Sequence, residues 1–219
     1  NNSWSIPINP EFSDKTLSSK ENFMKGALAI AVNGIPIFNP LNNRGEDASA
    51  IGELDQWGGH CGKADDYHYH LPPIHLSDVV GNNSPIAYSL DGFPVYGKTD
   101  KLLDENLGIL NEDGSYHYYS VDDYPYFIAN MKGKVTTSGI APENQIDPQS
   151  VTSAIRPALN PLKDAVITNF TKIDSNSYQL KYEINSEIFI IDYYWDSSGH
   201  YYITFTNPDG TKQIETYHR

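Results

Sequence analysis

The sequence predicts a mainly β protein, built from a duplicated hairpin-plus-strand unit and closed by a small antiparallel meander, and three observations carry that expectation. Two turn dipeptides, Asn33-Gly34 and Asp91-Gly92, sit between short runs of aliphatic and aromatic residues; such dipeptides tolerate the positive φ of tight hairpin turns. Each hairpin is followed by a Tyr-His-Tyr, first Tyr67-His68-Tyr69 and then Tyr116-His117-Tyr118. Towards the end, Tyr178 to Ile184 alternates strictly, and Asp196-Ser197-Ser198-Gly199 and Asn207-Pro208-Asp209-Gly210 are turn signals spaced for a meander.

Taken in order, Ala27 to Phe38 reads as two extended runs joined by a type I′ turn at Asn33-Gly34, and Ile86 to Tyr96 repeats the grammar around Asp91-Gly92. Val32-Asn33-Gly34-Ile35-Pro36-Ile37-Phe38 aligns with Leu90-Asp91-Gly92-Phe93-Pro94-Val95-Tyr96. The repeated units run from Leu28 to Pro72 and from Ile86 to Pro125. Pro36 and Pro94, lacking a backbone donor, suit edge or bulge positions. Arg44 to Leu54 carries Glu46, Ala48, Ala50 and Leu54 in the pattern of a short helix, and Asp100 to Leu110 fits a helix or a loop stopped at Gly108. Residues 133–162 are punctuated by Pro142, Pro148, Pro157 and Pro161, which predicts a long irregular connection. A boundary near Asn160 then gives a histidine-rich β domain over 1–160 and an accessory sheet over 161–219.

Composition narrows the function classes. Fifteen basic residues against 28 acidic ones leave a net charge of −13; that field repels phosphate backbones and anionic membrane surfaces, so cations and neutral ligands fit better than nucleic acid. The longest apolar run, Ala27 to Val32, is far short of the ~18 residues of a membrane span. The first residue is Asn, and the abundance of Tyr, Asn, Ser and Asp agrees with an exported protein, extracellular or periplasmic. The single cysteine, Cys61, excludes an intramolecular disulfide.

The chemistry concentrates between residues 58 and 71. If Tyr67 to Leu71 is extended, His68 and His70 project from one face and Tyr67, Tyr69 and Leu71 from the other. His60, carried by the flexible loop Gly58-Gly59-His60-Cys61-Gly62, completes three nitrogen donors. Three imidazoles hold a divalent transition metal and leave a position open for water or substrate, with zinc first and copper second. Asp55, Asp65 and Asp66 are candidates to orient the rings through their second nitrogens. His117 is a candidate fourth ligand or general base, and Asp91 is a turn residue first and a functional carboxylate second. The rival interpretation makes the histidines hydrogen-bonded packing residues. Cys61 is a nucleophile beside His60, a thiolate ligand, or a buried inert thiol, the last being favoured because adjacent residues rarely aim at one atom. The tyrosines pack, or else form Tyr/His acid/base pairs for β-elimination on uronic-acid sugars, a substrate the acidic chain would repel. His200 and His218 have no second ligand-type residue at useful spacing.

The run Gly58-Gly59-His60-Cys61-Gly62-Lys63-Ala64-Asp65-Asp66-Tyr67-His68-Tyr69-His70-Leu71-Pro72, followed by Ile86 to Gly97 and by Tyr116-His117-Tyr118 with Tyr124-Pro125-Tyr126-Phe127, closely resembles the YHYH domain family over roughly Leu28 to Val135. The resemblance implies an exported protein built around the histidine block, and maps the family pattern onto His60, His68, His70, Asp91 and His117. It supplies no reaction. Together with the residues, it points to an exported, metal-dependent, hydrolase-like enzyme acting on a small molecule or carbohydrate. A copper or zinc carrier without catalysis, and a metal-independent carbohydrate lyase or binding module, are the alternatives.

Overall fold

The computed structural model describes residues 3–64, 66–151 and 162–218. The chain divides into two compact units, Asn1–Ala158 and Leu159–Arg219; the boundary expected near Asn160 lies outside the described residues. Among the described residues no helix is long and apolar enough to cross a membrane.

In the first unit, β1 (Phe12–Ser18) precedes an eight-stranded sheet made of β2 (Ala27–Ala31), β3 (Pro36–Phe38), β4 (Gly59–Cys61), β5 (Tyr67–Tyr69), β6 (Ala87–Ser89), β7 (Pro94–Tyr96), β8 (Gly108–Leu110) and β9 (Tyr116–Tyr119). The strand order is β4-β5-β3-β2-β6-β7-β9-β8. Exchange each strand for its counterpart in the other half, β2 for β6, β3 for β7, β5 for β9 and β4 for β8, and the same order is read from the opposite edge. The register obeys the same exchange. β3 runs parallel to β5 with Ile37 beside Tyr69, as β7 does to β9 with Val95 beside Tyr118. β4 lies antiparallel to β5 with His60 opposite His68, and β8 to β9 with Ile109 opposite His117. The halves meet along β2 and β6, where Ile30 lies opposite Tyr88.

The hairpins form where the sequence places them but not with the expected turn. Gly34 and Gly92 have φ of +84° and +95°, whereas Asn33 and Asp91 do not have positive φ. Gly34 N–H donates to Ala31 O, and Ala31 N–H to Ile35 O; Gly92 N–H donates to Ser89 O, and Ser89 N–H to Phe93 O. These are type I turns closed by a glycine bulge, which need only one left-handed residue. Pro36 and Pro94 sit at the first residue of interior strands rather than on sheet edges, a position where no ladder donor is missed.

The expected helix over 44–54 is absent. Asp47 Oδ1 takes the N–H groups of Ser49 and Ala50, a local capture of backbone donors that competes with a helix. Asp104 Oδ1 likewise takes those of Asn106 and Gly108, so residues 100–107 turn into β8. The only α-helix among the described residues, α1 (Ser77–Val80), carries no periodic signal in the sequence. β10 (Asn130–Gly133) pairs with β1, and within the connection expected to be irregular over 133–162, β11 (Thr137–Ser138) pairs with β12 (Gln145–Ile146). β1 brings Phe12 onto Phe93, ring centroids 5.3 Å apart, and edge-on to Tyr116. Leu28, Ile37, Ile86, Val95, Tyr118 and Phe127 are fully buried at the centre of the core.

The second unit is the expected meander: β13 (Val166–Lys172), β14 (Ser177–Ile184), β15 (Glu187–Trp195), β16 (His200–Thr206) and β17 (Lys212–His218), each antiparallel to the next. None of its described residues is buried.

Candidate metal centre

The site is assembled by β4, β5 and the residue that follows β5. His60 belongs to a strand rather than to a free loop, directly opposite His68. β5 is held in place from behind by a glycine: a Cβ on Gly59 would lie 2.6 Å from both the His68 carbonyl oxygen and the Tyr67 hydroxyl, so the neighbouring backbone can approach only if position 59 has no side chain. Gly58, with φ +82°, turns its carbonyl to accept the N–H groups of His70 and Leu71. His70 thereby continues the strand edge past Tyr69, and both His68 and His70 are buried.

The three rings form a nearly equilateral triangle, with centroids 4.8 Å apart for His60 and His68, 4.9 Å for His60 and His70, and 5.0 Å for His68 and His70. Each uses Nδ1 in the same way. His60 Nδ1 lies 3.2 Å from Glu53 O, His68 Nδ1 lies 3.0 Å from Asp66 O, and His70 Nδ1 makes a short contact with Asn39 O. A carbonyl oxygen can only accept, so these partners place the proton on Nδ1 of each neutral ring and leave Nε2 with its lone pair. His60 Nε2 and His70 Nε2 face one another at 3.2 Å. Two nitrogens bound tetrahedrally at ~2.05 Å to one ion stand about 3.3 Å apart, so this pair is already at ligand spacing. One ligand atom from each of the three histidines lies within 4.8 Å of the others, and the group could hold a metal ion.

Electrostatics agree with that use. Burial pushes the pKa of His70 down to about 3, with the neighbouring His68 acting in the same direction, and burial also lowers that of His68. Neutral imidazoles are ligands; imidazolium ions are not. Phe38 stacks on His68 at 4.3 Å and fixes that ring's plane.

Of the expected carboxylate partners, Asp55 and Asp66 do not orient the rings through their side chains. Asp66 contributes its main-chain oxygen, while its side chain receives the Ala64 N–H. Asp55 accepts the Tyr67 hydroxyl at 2.9 Å. Asp65 lies outside the described residues. The acceptors on Asn39 and Glu53 were not legible in the sequence, because a backbone carbonyl carries no residue signature. Cys61 corrects another expectation: it is exposed, not buried. It stands opposite Tyr67, and strand alternation directs it away from the face used by His60.

His117 and Asp91 are not brought to this cluster. His117 lies on β9, and β3, β2, β6 and β7 separate it from β5 in the sheet; its ring packs 4.8 Å from Tyr96. In the second half His60 is replaced by Ile109 and His70 by Tyr119. Asp91 is fully buried, accepting the Tyr118 hydroxyl at 2.7 Å and the Gly133 N–H at 2.8 Å. Asn33 makes the corresponding contact in the first half, donating to the Tyr69 hydroxyl at 3.1 Å. The tyrosine face is likewise shared by both halves: Tyr67 donates to Asp55 as Tyr116 donates to Asp104.

Residues 3–109 match the family model described as YHYH protein. This stretch is similar to the YHYH family. The match includes all three clustered histidines and both hairpins, covers just under half of the chain, and ends before His117. It therefore starts earlier and stops sooner than the stretch from Leu28 to Val135. No curated protein and no solved structure matches the chain. Within the matched stretch, the residues that give the family its name divide by face, the histidines towards the cluster and the tyrosines towards Asp55 and Asn33.

Proposed function

We propose that the YHYH-like stretch binds one divalent transition metal through Nε2 of His60, His68 and His70, and that the protein is an exported metal-dependent enzyme of hydrolytic type. The carrying observation is that each of the three rings has Nδ1 on a main-chain carbonyl, that Nε2 of His60 and of His70 face one another, and that one ligand atom from each histidine lies within 4.8 Å of the others. Backbone acceptors of this kind fix tautomer and ring plane and raise ligand basicity. Zinc suits three neutral imidazoles, and copper is second. A bound ion with an open position supplies a water whose pKa falls to about 7. The protein's own contribution is to hold three lone pairs at fixed spacing, to shield His68 and His70 from solvent, and to leave His60 as the accessible side of the site. Asp91 serves the scaffold in this reading, and His117 is the unelaborated counterpart of His68.

The contact between His60 Nε2 and His70 Nε2 supports one other reading: a proton rather than a metal lies between them, and the cluster is structural. Elemental analysis of untagged protein separates the two. The metal reading expects about one equivalent of zinc or copper, lost in His68→Ala and in His70→Ala and kept in His117→Ala. Less than about a tenth of an equivalent, unrestored by added zinc or copper, sinks it.

A further inference from the structure

We propose that the C-terminal sheet is a self-association surface, packing face to face with the same sheet of a second copy of this chain. Strand alternation sorts its residues. Gln179, Lys181, Asp192 and Thr204 lie on one face beside Ile190, Tyr194 and Tyr202, whereas the other face is the more apolar, with Leu180, Ile191 and Phe205 in line. A sheet with one apolar face gains stability by burying it, yet no described residue of this sheet is buried.

The rings on the apolar face are arranged for packing rather than for holding a sugar. Phe170 and Tyr178 stack at 5.4 Å and 13°, and Tyr178 and Tyr193 at 5.5 Å and 17°. Their faces are covered by one another, so the surface they present outward is made of ring edges.

The occupant follows from one row of the register. Lys172 pairs with Tyr178, Tyr178 with Tyr193, Tyr193 with Ile203, and Ile203 with Glu215. The row thus runs straight across the sheet from a cation on one edge strand to an anion on the other, with apolar residues between. Lys172 is on this face, its Nζ 6.0 Å from the centre of the Tyr178 ring. A two-fold axis lying in the interface along β15 sets β13 of one copy over β17 of the other and preserves position along the strands. Lys172 then meets the second copy's Glu215, and Glu215 its Lys172, while the apolar middle of the row packs on itself. Such an interface is isologous and closes at two subunits. Five strands at ~4.8 Å spacing and ~7 residues at ~3.3 Å give a face of roughly 550 Å², or about 1,100 Å² for two copies, above the ~1,000 Å² of a specific interface.

Sedimentation of the 219-residue chain from ~1 to ~100 μM tests this. A monomer–dimer equilibrium is expected, with Ile203→Asp monomeric. Lys172→Glu and Glu215→Lys should each weaken dimerisation at least about threefold, since each sets two like pairs in opposition, and the double reversal should restore it. That restoration distinguishes lost pairing from lost folding. A chain monomeric throughout the range overturns the proposal, whether the face is covered by another part of the chain or by a different protein. So does a dimer indifferent to these variants, or one that the double reversal fails to restore.

Discussion

At the scale of single residues, the histidines are set by what lies behind them. Asn39, Glu53 and Asp66 accept through main-chain oxygens, so the tautomer of each ring is a property of the fold and survives most substitutions at those three positions. Holding His70 neutral has a consequence for pH. Its folded pKa of about 3 lies below the unfolded value of 6.5, so between these values the unfolded chain binds a proton that the folded chain refuses. Stability is then complete above pH ~6.5 and falls as the pH drops towards 3, by on the order of 5 kcal/mol from this residue. Urea unfolding of metal-free protein at pH 7 and pH 5 should show the loss, and His70→Gln should shrink it; an unchanged difference would place the acid sensitivity elsewhere. The alternation of Tyr67 to Leu71 made the shared face of His68 and His70 legible in the sequence. The strand position of His60 was not, because the pairing of His60 with His68 is a tertiary fact.

At the scale of elements, the two halves are the same device with and without the three-histidine cluster. Asp55 and Asp104 close equivalent turns, each taking the N–H of the glycine four residues on and a tyrosine hydroxyl from the next strand. Gly58 and Leu107 occupy the same left-handed corner, with φ of +82° and +66°, and their carbonyls accept from His70 and Tyr119. Leucine is strained there and glycine is not. Leu107→Gly should therefore raise the unfolding free energy, by about 0.5–1 kcal/mol after the entropy cost of glycine; a loss of stability in urea unfolding would mean that the Leu107 side chain contributes more packing than its corner costs. The equivalence also predicts a transplant. Ile109→His with Tyr119→His, added to the native His117, reproduces the ligand set in the second half, and titration should then find about two metal equivalents instead of one. A folded variant still saturating at one would show that the connecting loops, not the strands, shape the site. The repeated hairpins and Tyr-His-Tyr made this symmetry readable, since both depend on local turn chemistry. The helix expected over 44–54 failed because Asp47 diverts the backbone donors that a helix needs.

At the scale of the whole molecule, the net charge of −13 favours cation capture. The association rate of zinc with metal-free protein should fall severalfold between ~10 mM and ~300 mM salt in stopped-flow measurements; a salt-independent rate would mean that local access, not the field, controls entry. Composition and turn spacing carried the mainly β class and the terminal meander, while the eight-strand order was invisible, because strands far apart in sequence announce no partners. The junction of β2 with β6 has a meaning beyond holding that sheet together. Ala29 lies opposite Ser89 and Ala31 opposite Ala87, with Ile30 and Tyr88 at the centre, so each strand meets its own equivalent about a local dyad. A single half, cut free, would end in a bare β2 edge whose natural complement is another β2. The sheet thus has the internal symmetry of a homodimer within one chain, with the three-histidine set in one half and only His117 in the other.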